Sequence, residues 1–289
     1  MISKIALGTV QFGMDYGINN QRGKIPFTEI MEILKFCDEQ QIRVLDTASV
    51  YGNAEIVLGE AIQELNVSFD IITKLHSAND QSIAELVVKS RNQLKQDSLY
   101  GLLYHSYEEY KRSPERLEEL IHLKKTGIVQ KIGFSLYCPE QVEELLGNKV
   151  QFDLVQVPYS VFDQRFDKVF EILKDNDIEI HTRSCFLQGL FFKNEDSLGD
   201  HFSSIKIKLK ELKQIFEGSK IPLAAGLLNF ALLNSHIDKV VIGVDSLNNL
   251  KDNLDGIKFL DQTVSIYERI KEFREEDLNI LLPMNWKND

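Results

Sequence analysis

Short apolar runs, many of them rich in β-branched residues, alternate along the chain with longer segments in which apolar residues recur every three or four positions. A short apolar run is typical of a buried strand, and the longer period is typical of an amphipathic helix. Eight such runs lie at residues 4–7, 43–46, 70–73, 101–104, 131–134, 154–157, 179–182 and 239–242. The pattern therefore predicts eight strands, each followed by helical sequence.

The segments between the runs carry the helical period. In residues 28–40, for example, Ile30, Ile33 and Cys37 fall on one face of the predicted helix. The same reasoning predicts helices over residues 54–64, 82–96, 114–125, 139–146, 166–176, 202–216 and 248–254.

Eight strand–helix units predict an α/β fold, a (β/α)₈ TIM barrel with extra helices near strand 8 (223–234) and at the C-terminus (264–275). A doubly wound open sheet is disfavoured, because residues 8–13 read Gly-Thr-Val-Gln-Phe-Gly where that fold carries Gly-x-Gly-x-x-Gly. The 289 residues suit one such barrel, so we expect residues 1–289 to form a single domain. The loop at 187–201 is the longest candidate for a lid over the barrel mouth.

Composition narrows the possible partners and location. The content of 43% hydrophobic and 27% charged residues allows a large core with a wet surface. A net charge of −11 argues against a nucleic acid or an anionic membrane as a partner. No apolar run approaches the roughly 20 residues that span a bilayer, and the N-terminus does not resemble a signal peptide. We expect a cytoplasmic protein that is a monomer or a weak homo-oligomer.

The three cysteines, Cys37, Cys138 and Cys185, are far apart and form no C-x-x-C pair. An odd number of widely spaced cysteines is typical of free thiols in a reducing compartment, not of a disulfide or zinc framework. The sequence predicts no metal site.

Polar residues stand at or soon after the ends of three successive predicted strands: Asp46 and Tyr51 after the second, Lys74 after the third and His105 after the fourth. A parallel barrel builds its active site from strand ends of this kind. A tyrosine hydroxyl is a weak acid, with a pKa of about 10, and a neighbouring ammonium makes it a better proton donor. Asp46 would keep Lys74 charged, and His105 would help to place a substrate oxygen.

These groups can polarise a carbonyl and protonate its oxygen, but they include neither a nucleophile nor a metal. The electron pair must then come from elsewhere, and hydride from a nicotinamide is the obvious source. The motif Asp46-Thr-Ala-Ser-Val-Tyr51-Gly, followed by Lys74 and His105, resembles the catalytic tetrad of the aldo-keto reductases, NAD(P)(H)-dependent barrels that reduce aldehydes and ketones. The resemblance implies that Tyr51 is the general acid, that Lys74 and Asp46 assist it, and that His105 orients the carbonyl.

The same resemblance implies a cofactor site. Ser135 and Gln156 match the residues that bind the nicotinamide carboxamide, while Arg183, followed by Ser184, stands where the family often has an aromatic residue that stacks on the nicotinamide. The implied set is completed by Thr9, Asp46 and a strand-eight segment that holds the adenosine phosphate, with Gly243, Asp245, Ser246, Asn249 and Asn253.

The choice between NADPH and NADH stays open at this stage. Asp245 would repel a 2′-phosphate that faced it, whereas Ser246 and a helix N-terminus would bind one.

The substrate is less constrained than the reaction. Residues 11–20 are rich in polar and aromatic groups, and together with residues 183–189 they resemble a branch of the family associated with bacterial sugar or polysaccharide biosynthesis. This favours a sugar-like aldehyde or keto-sugar as the small-molecule carbonyl substrate. The alternatives are a cofactor-binding regulatory protein of the same fold with little turnover, and a Schiff-base lyase that uses Lys74.

Overall fold

Eight parallel strands form the centre of the molecule. In the computed structural model, which describes residues 1–76 and 81–286, they are β1 (Ile5–Gly8), β2 (Val44–Asp46), β3 (Asp70–Leu75), β4 (Leu99–Tyr104), β5 (Val129–Ser135), β6 (Leu154–Pro158), β7 (Glu179–Arg183) and β8 (Lys239–Gly243). Each strand pairs with its neighbours in sequence order, and β8 pairs with β1. The predicted barrel is confirmed, because a closed sheet has no edge strands and a doubly wound sheet has two.

Helices surround this barrel within the described residues. They are α1 (Val10–Gly13), α2 (Phe27–Glu39), α3 (Ala54–Leu65), α4 (Ile83–Leu94), α5 (Tyr107–Arg112), α6 (Leu117–Lys125), α7 (Pro139–Gly147), α8 (Asp167–Asp175), α9 (Lys206–Gly218), α10 (Leu223–Leu233), α11 (Leu247–Asp255), α12 (Leu260–Lys271) and α13 (Leu278–Leu281). Each predicted helix overlaps one of these, and α10 and α12 are the two extra helices. No helix in residues 1–76 and 81–286 combines the length and apolar character needed to cross a bilayer.

Several predicted boundaries are wrong. The first turns of the helices predicted at 114–125 and 202–216 are 3₁₀ segments, Pro114–Arg116 and Asp200–Ile205, that precede α6 and α9. The last predicted helix, 264–275, is shifted, because α12 begins at Leu260 and ends at Lys271. The short helices α1, α5 and α13 carry too few turns for a periodic pattern to reveal them.

Helix α10 shows why the seventh unit of the barrel is enlarged. Its sequence, Leu-Ala-Ala-Gly-Leu-Leu-Asn-Phe-Ala-Leu-Leu, is apolar on nearly every side, and such a helix must be covered by protein. Gly226 lets it pack closely, since a Cβ there would lie 2.1 Å from the Phe216 ring of α9. The buried Asn229 donates a hydrogen bond to the Gly256 carbonyl at 3.0 Å, which ties α10 to the segment before α12.

The interior of the barrel changes from apolar to polar along the strands. A separate cluster of buried side chains fills it, formed by Ala6, Val44, Ile72, Leu103, Leu154 and Val241. Further along, Asp46, Lys74 and Gln156 are also buried, although they are polar. Buried polar groups need partners, so this layer must be a hydrogen-bonded network. The described elements all belong to one barrel; that residues 1–289 are a single domain stays a prediction.

Candidate active site

The carboxyl ends of neighbouring strands bring the four predicted catalytic residues into one cleft. Asp46 is the last residue of β2, Lys74 is the penultimate residue of β3, and His105 directly follows β4. Tyr51 comes from the turn that joins β2 to α3, and all four residues line the same cavity. The parallel register, in which Asp46 pairs with Ile72 two residues before Lys74, produces this convergence.

The turn that carries Tyr51 is fixed by close backbone contacts. Gly52 has a φ of 58°, which favours glycine, and a Cβ on Gly13 would lie 1.8 Å from the Tyr51 carbonyl oxygen. The backbone N–H of Ser49 also donates to the Lys74 carbonyl at 3.2 Å. Two glycines and a strand end therefore set the position of the Tyr51 backbone.

Lys74 and Asp46 form a buried ion pair. The Lys74 Nζ donates to Asp46 Oδ1 at 2.6 Å and to the Thr47 carbonyl at 2.9 Å, and the two charged side chains are only 1% and 5% exposed. Gln156 Nε2 donates to the other carboxylate oxygen of Asp46 at 2.7 Å. Burial alone would lower the pKa of Lys74, but the charge of Asp46, the neighbouring Tyr51 and the hydrogen bond to Asp46 together raise that pKa, so the ammonium persists.

Tyr51 and His105 lie beside this ammonium. The Lys74 Nζ is 5.2 Å from the centroid of the Tyr51 ring, and the Tyr51 and His105 rings meet edge-on with centroids 6.1 Å apart. Burial, helped by the charges of Lys74 and Arg183, lowers the pKa of His105 to about 4. The imidazole is therefore neutral near pH 7, where one of its nitrogens carries a hydrogen to donate and the other accepts.

The cleft is large enough for a substantial ligand. Its volume is about 670 Å³, within the usual range for small-molecule and cofactor sites. The tetrad lines it on one side, and it reaches α11 through Asn249 and Asn253. The arrangement has the strand-end geometry of a catalytic site that protonates a substrate oxygen.

The sequence matches the Aldo/keto reductase family model over residues 4–275. The chain belongs to the aldo/keto reductase family. It is thus an NAD(P)-dependent oxidoreductase of the kind that reduces carbonyl compounds, with NADPH or NADH as its cofactor.

Solved structures of other proteins share the barrel. The holo form of aldo-keto reductase AKR11C1 from Bacillus halodurans aligns with a TM-score of 0.74 at 19% identity, covering 93% of this chain and 91% of that one. A putative aldo-keto reductase from Pseudomonas aeruginosa aligns with a TM-score of 0.67 at 19% identity, over 90% of each chain. At this identity the likeness shows the fold alone. No curated protein matches the sequence.

The residues predicted to bind the nicotinamide end of the cofactor lie on the central strands of this reductase. Ser135 and Gln156 are 2% and 1% exposed and both line the cleft. The Thr9 hydroxyl, also at the cleft, donates to the Asp46 carbonyl at 3.0 Å. The amide nitrogen of Gln156 already serves Asp46, which leaves the Gln156 oxygen as the group to face a carboxamide. Their roles toward the cofactor stay predictions.

The predicted adenosine end is built differently. Gly243, Asp245, Asn249 and Asn253 line the cleft, but Ser246 does not. The Ser246 hydroxyl instead caps α11 by accepting the Asn249 N–H at 3.0 Å. Ser246 therefore lies in the predicted loop, but its hydroxyl stabilises α11 and does not line the cleft.

A charged pair occupies the start of the same helix. The Glu29 carboxylate accepts the Leu247 N–H at 3.1 Å and forms an ion pair with Arg22 at 2.8 Å. Arg22 also donates to the Asp245 carbonyl at 2.8 Å. An N–H group that the sequence predicted for a cofactor phosphate is thus taken by a carboxylate of the protein.

Two buried polar side-chain atoms indicate how well the residues of the cleft fit a cofactor. Among the described residues, Asn253 Nδ2 and Gln11 Oε1 are buried and have no hydrogen-bond partner in the protein, and both side chains line the cleft. Buried polar atoms are normally paired, so both are suited to groups of a bound ligand. The residues present fit a nicotinamide dinucleotide.

Three further side chains, Tyr16, Gln188 and Tyr137, complete the cleft wall. Tyr16 and Gln188 meet across it, with Gln188 Nε2 donating to the Tyr16 hydroxyl at 2.8 Å, and burial raises the pKa of Tyr16 to about 12. Tyr137 lies under Arg183, with 4.2 Å from the guanidinium carbon to the ring centroid. Tyr16 and Gln188 fall in the segments 11–20 and 183–189 that the sequence marked, whereas no sequence signal marks Tyr137 as a partner of Arg183.

The candidate lid at residues 187–201 contacts the loop at residues 11–20. The Ile18 N–H donates to the Gln188 carbonyl at 3.2 Å, and the Asn19 amide donates to the Gly189 carbonyl. Gly189, with a φ of 94°, has no Cβ where the Asn19 side chain packs. Closure of the 187–201 loop over a cofactor stays a prediction.

Proposed function

We propose that the protein reduces a sugar-like aldehyde or ketone to an alcohol, with Tyr51 as the general acid. The observation that carries the proposal is the buried Lys74–Asp46 ion pair beside Tyr51 and His105 in a single cleft. Such a site can donate a proton to a carbonyl oxygen and stabilise the charge left behind.

Each residue has a separate part in this reaction. Tyr51 gives its hydroxyl proton to the carbonyl oxygen, and the Lys74 ammonium stabilises the resulting phenolate. Asp46 and Gln156 hold that ammonium in place through the carboxylate. The neutral His105 donates an N–H to the same carbonyl oxygen and orients it. A nicotinamide held beside Ser135 and Gln156 would supply the hydride for the carbonyl carbon.

The proposed cofactor site spans both ends of the cleft. Thr9, Asp46, Ser135, Gln156, Arg183 and Ser184 would contact the nicotinamide end, and Gly243, Asp245, Ser246, Asn249 and Asn253 would surround the adenosine end, Ser246 through the capped helix. Support comes from the unpaired Asn253 Nδ2. Equilibrium titrations with NADH and with NADPH, followed by nicotinamide fluorescence, measure which cofactor is preferred.

A sugar-like substrate is supported by the polar and aromatic residues that line the cleft with the tetrad. Tyr16, Asn19, Asn20 and Gln188 line the cleft and offer an aromatic face together with amide and hydroxyl groups. Amides hydrogen-bond hydroxyl groups, and aromatic rings pack on the apolar faces of sugars. A substrate screen tests this part: good turnover of simple aromatic aldehydes without turnover of sugar carbonyls would exclude it.

Tyr51→Phe tests the general acid. The substitution removes one hydroxyl and keeps the ring that packs against Lys74, so we expect cofactor binding to survive while kcat falls by roughly 10² to 10⁴. NAD(P)H oxidation by the two proteins is the measurement. Equal rates would favour the alternative, a cofactor-binding regulatory protein with little turnover.

The Schiff-base alternative requires a neutral lysine. Lys74 has a raised pKa because Asp46 faces it, and a charged lysine is not a nucleophile. Borohydride treatment in the presence of a carbonyl substrate should leave Lys74 unlabelled, and a substrate adduct on Lys74 would exclude the reductase mechanism.

The location and assembly remain part of the proposal. A cytoplasmic protein is supported by the free Cys37, Cys138 and Cys185, and we propose a monomer or a weak homo-oligomer. Fractionation of cells and light scattering of the purified protein are the corresponding measurements.

A further inference from the structure

Arg183 brings to the cleft a positive charge that no carboxylate of the described residues neutralises by direct contact. It is the last residue of β7 and lines the same cavity as the tetrad. Within residues 1–76 and 81–286, its side chain makes two long hydrogen bonds, 3.5 Å to Ser184 Oγ and 3.4 Å to the Leu136 carbonyl. A guanidinium has five N–H donors, so most of its hydrogen-bonding capacity remains for a ligand.

The orientation of this guanidinium is set by the barrel. The Arg183 carbonyl accepts the Tyr159 N–H at 2.9 Å, which fixes the backbone at the end of the strand. The guanidinium carbon lies 4.2 Å from the centroid of the Tyr137 ring. The Tyr137 ring covers one face of the guanidinium and leaves most of its in-plane N–H groups available, and such groups recognise carboxylates and phosphates.

The charges around the tetrad add to this effect. Asp46 and Lys74 neutralise each other, His105 is neutral, and Asp245 belongs to the α11 end of the cleft, so Arg183 gives the tetrad end one net positive charge. The whole chain, in contrast, carries −11. A local positive site in an acidic protein attracts anions to that place. The Arg183 charge also contributes to the lowered pKa of His105, in keeping with the cavity that the two residues share with Tyr51.

We propose that Arg183 binds a carboxylate or phosphate group of the substrate, so that the protein reduces an anionic, sugar-like carbonyl compound. This inference rests on the proposed reductase function and deepens it. The in-plane edge of the guanidinium holds the anion, while Tyr51 and His105 receive the carbonyl oxygen. The Tyr137 ring holds the guanidinium in this orientation.

The test compares two substrates that differ in one group. D-Glucuronate carries a carboxylate where D-glucuronamide carries a neutral amide, so the ratio of their kcat/KM values measures recognition of the charge. We expect the wild type to prefer glucuronate by roughly 10- to 100-fold, since a hydrogen bond to a charged group is worth that much. Arg183→Gln should abolish the preference, and Arg183→Lys should keep part of it.

A second pair, D-glucose 6-phosphate and D-glucose, distinguishes phosphate from carboxylate as the preferred anion. Arg274→Gln makes the same charge change at a side chain that is 68% exposed and outside the cleft, and it should leave both ratios unaltered. Because both members of a pair use the same cofactor, any effect of Arg183 on the cofactor cancels in the ratio.

Three results overturn the inference. A wild type without preference for either anion, or a preference that survives Arg183→Gln, leaves the reductase standing and removes the anion site. Equal losses for charged and neutral substrates, with weaker NAD(P)H binding, assign Arg183 to the cofactor alone. A different result would exclude the proposed reductase function itself: the wild type would then reduce DL-glyceraldehyde no faster than Tyr51→Phe does.

Discussion

At the end of the cleft formed by β2 and β3, the buried Asp46 and Lys74 are paired within the protein, whereas at the α11 end a buried amide nitrogen of Asn253 has no partner. Lys74 and Asp46 are held together, and Gln156 holds the second oxygen of the carboxylate. The catalytic groups are therefore already organised before a ligand binds. The α11 end has hydrogen-bonding capacity left over, and it gains most from the cofactor.

Lys74→Met should give the largest effect. It leaves the Asp46 carboxylate buried with only Gln156 as a partner, so we expect a loss of about 3–5 kcal/mol in the free energy of unfolding, together with nearly complete loss of activity. Urea denaturation and NAD(P)H oxidation measure the two losses. The double variant Asp46→Asn, Lys74→Met should recover much of the stability and none of the activity. A single variant as stable as the wild type would show that the pair is not a preformed unit.

Gly13→Ala tests the backbone contact that positions Tyr51. The added Cβ would lie 1.8 Å from the Tyr51 carbonyl oxygen, and the turn must move. Overpacking of this kind costs about 1–3 kcal/mol, and displacement of the tyrosine should lower kcat more than it raises KM. Gly147→Ala is the matched control, because nothing lies within 4 Å of a Cβ there. Equal behaviour of the two variants would mean that the turn adapts freely.

The lowered pKa of His105 makes a prediction about pH. In the unfolded chain its imidazole takes up a proton near pH 6.5, but in the folded protein only near pH 4. The folded state binds fewer protons in between, so the free energy of unfolding should decrease as the pH falls from 6.5 to 4. Denaturation at a series of pH values checks this.

His105→Gln should make that pH dependence shallower. A residual slope should persist, since burial lowers the pKa of His181 to about 3 as well. An unchanged slope in the variant would mean that His105 titrates as it does in water.

Asn253→Ala should give the smallest effect and the one most specific to the cofactor end. Since Asn253 Nδ2 has no protein partner, its removal should barely change the free energy of unfolding. The loss of one hydrogen bond to the cofactor should weaken NAD(P)H binding by about 2- to 10-fold. Fluorescence titration and urea denaturation separate the two quantities. A large loss in the free energy of unfolding without weaker NAD(P)H binding would mean that Asn253 stabilises the fold and does not bind the cofactor.

The alternation of apolar runs and periodic segments was enough to predict the barrel, because each strand buried on both faces leaves a continuous apolar run in the sequence. It failed where local order is short or irregular. Helix α5, Tyr107–Arg112, spans fewer than two turns, and the 3₁₀ segment Asp200–Ile205 overlaps the start of the α-helix predicted at 202–216. In such segments tertiary packing overrides the pattern.

Which chemical groups meet at the mouth could be predicted from the order of residues, since Asp46, Lys74 and His105 stand at the ends of strands that a parallel barrel must align. What each group contacts depends on the folded barrel. Gln156 reaches Asp46 across 110 positions of sequence, and Arg183 stacks on Tyr137. Such contacts depend on how the barrel closes and on the register of strands that are distant in sequence, and no local periodicity encodes those distances.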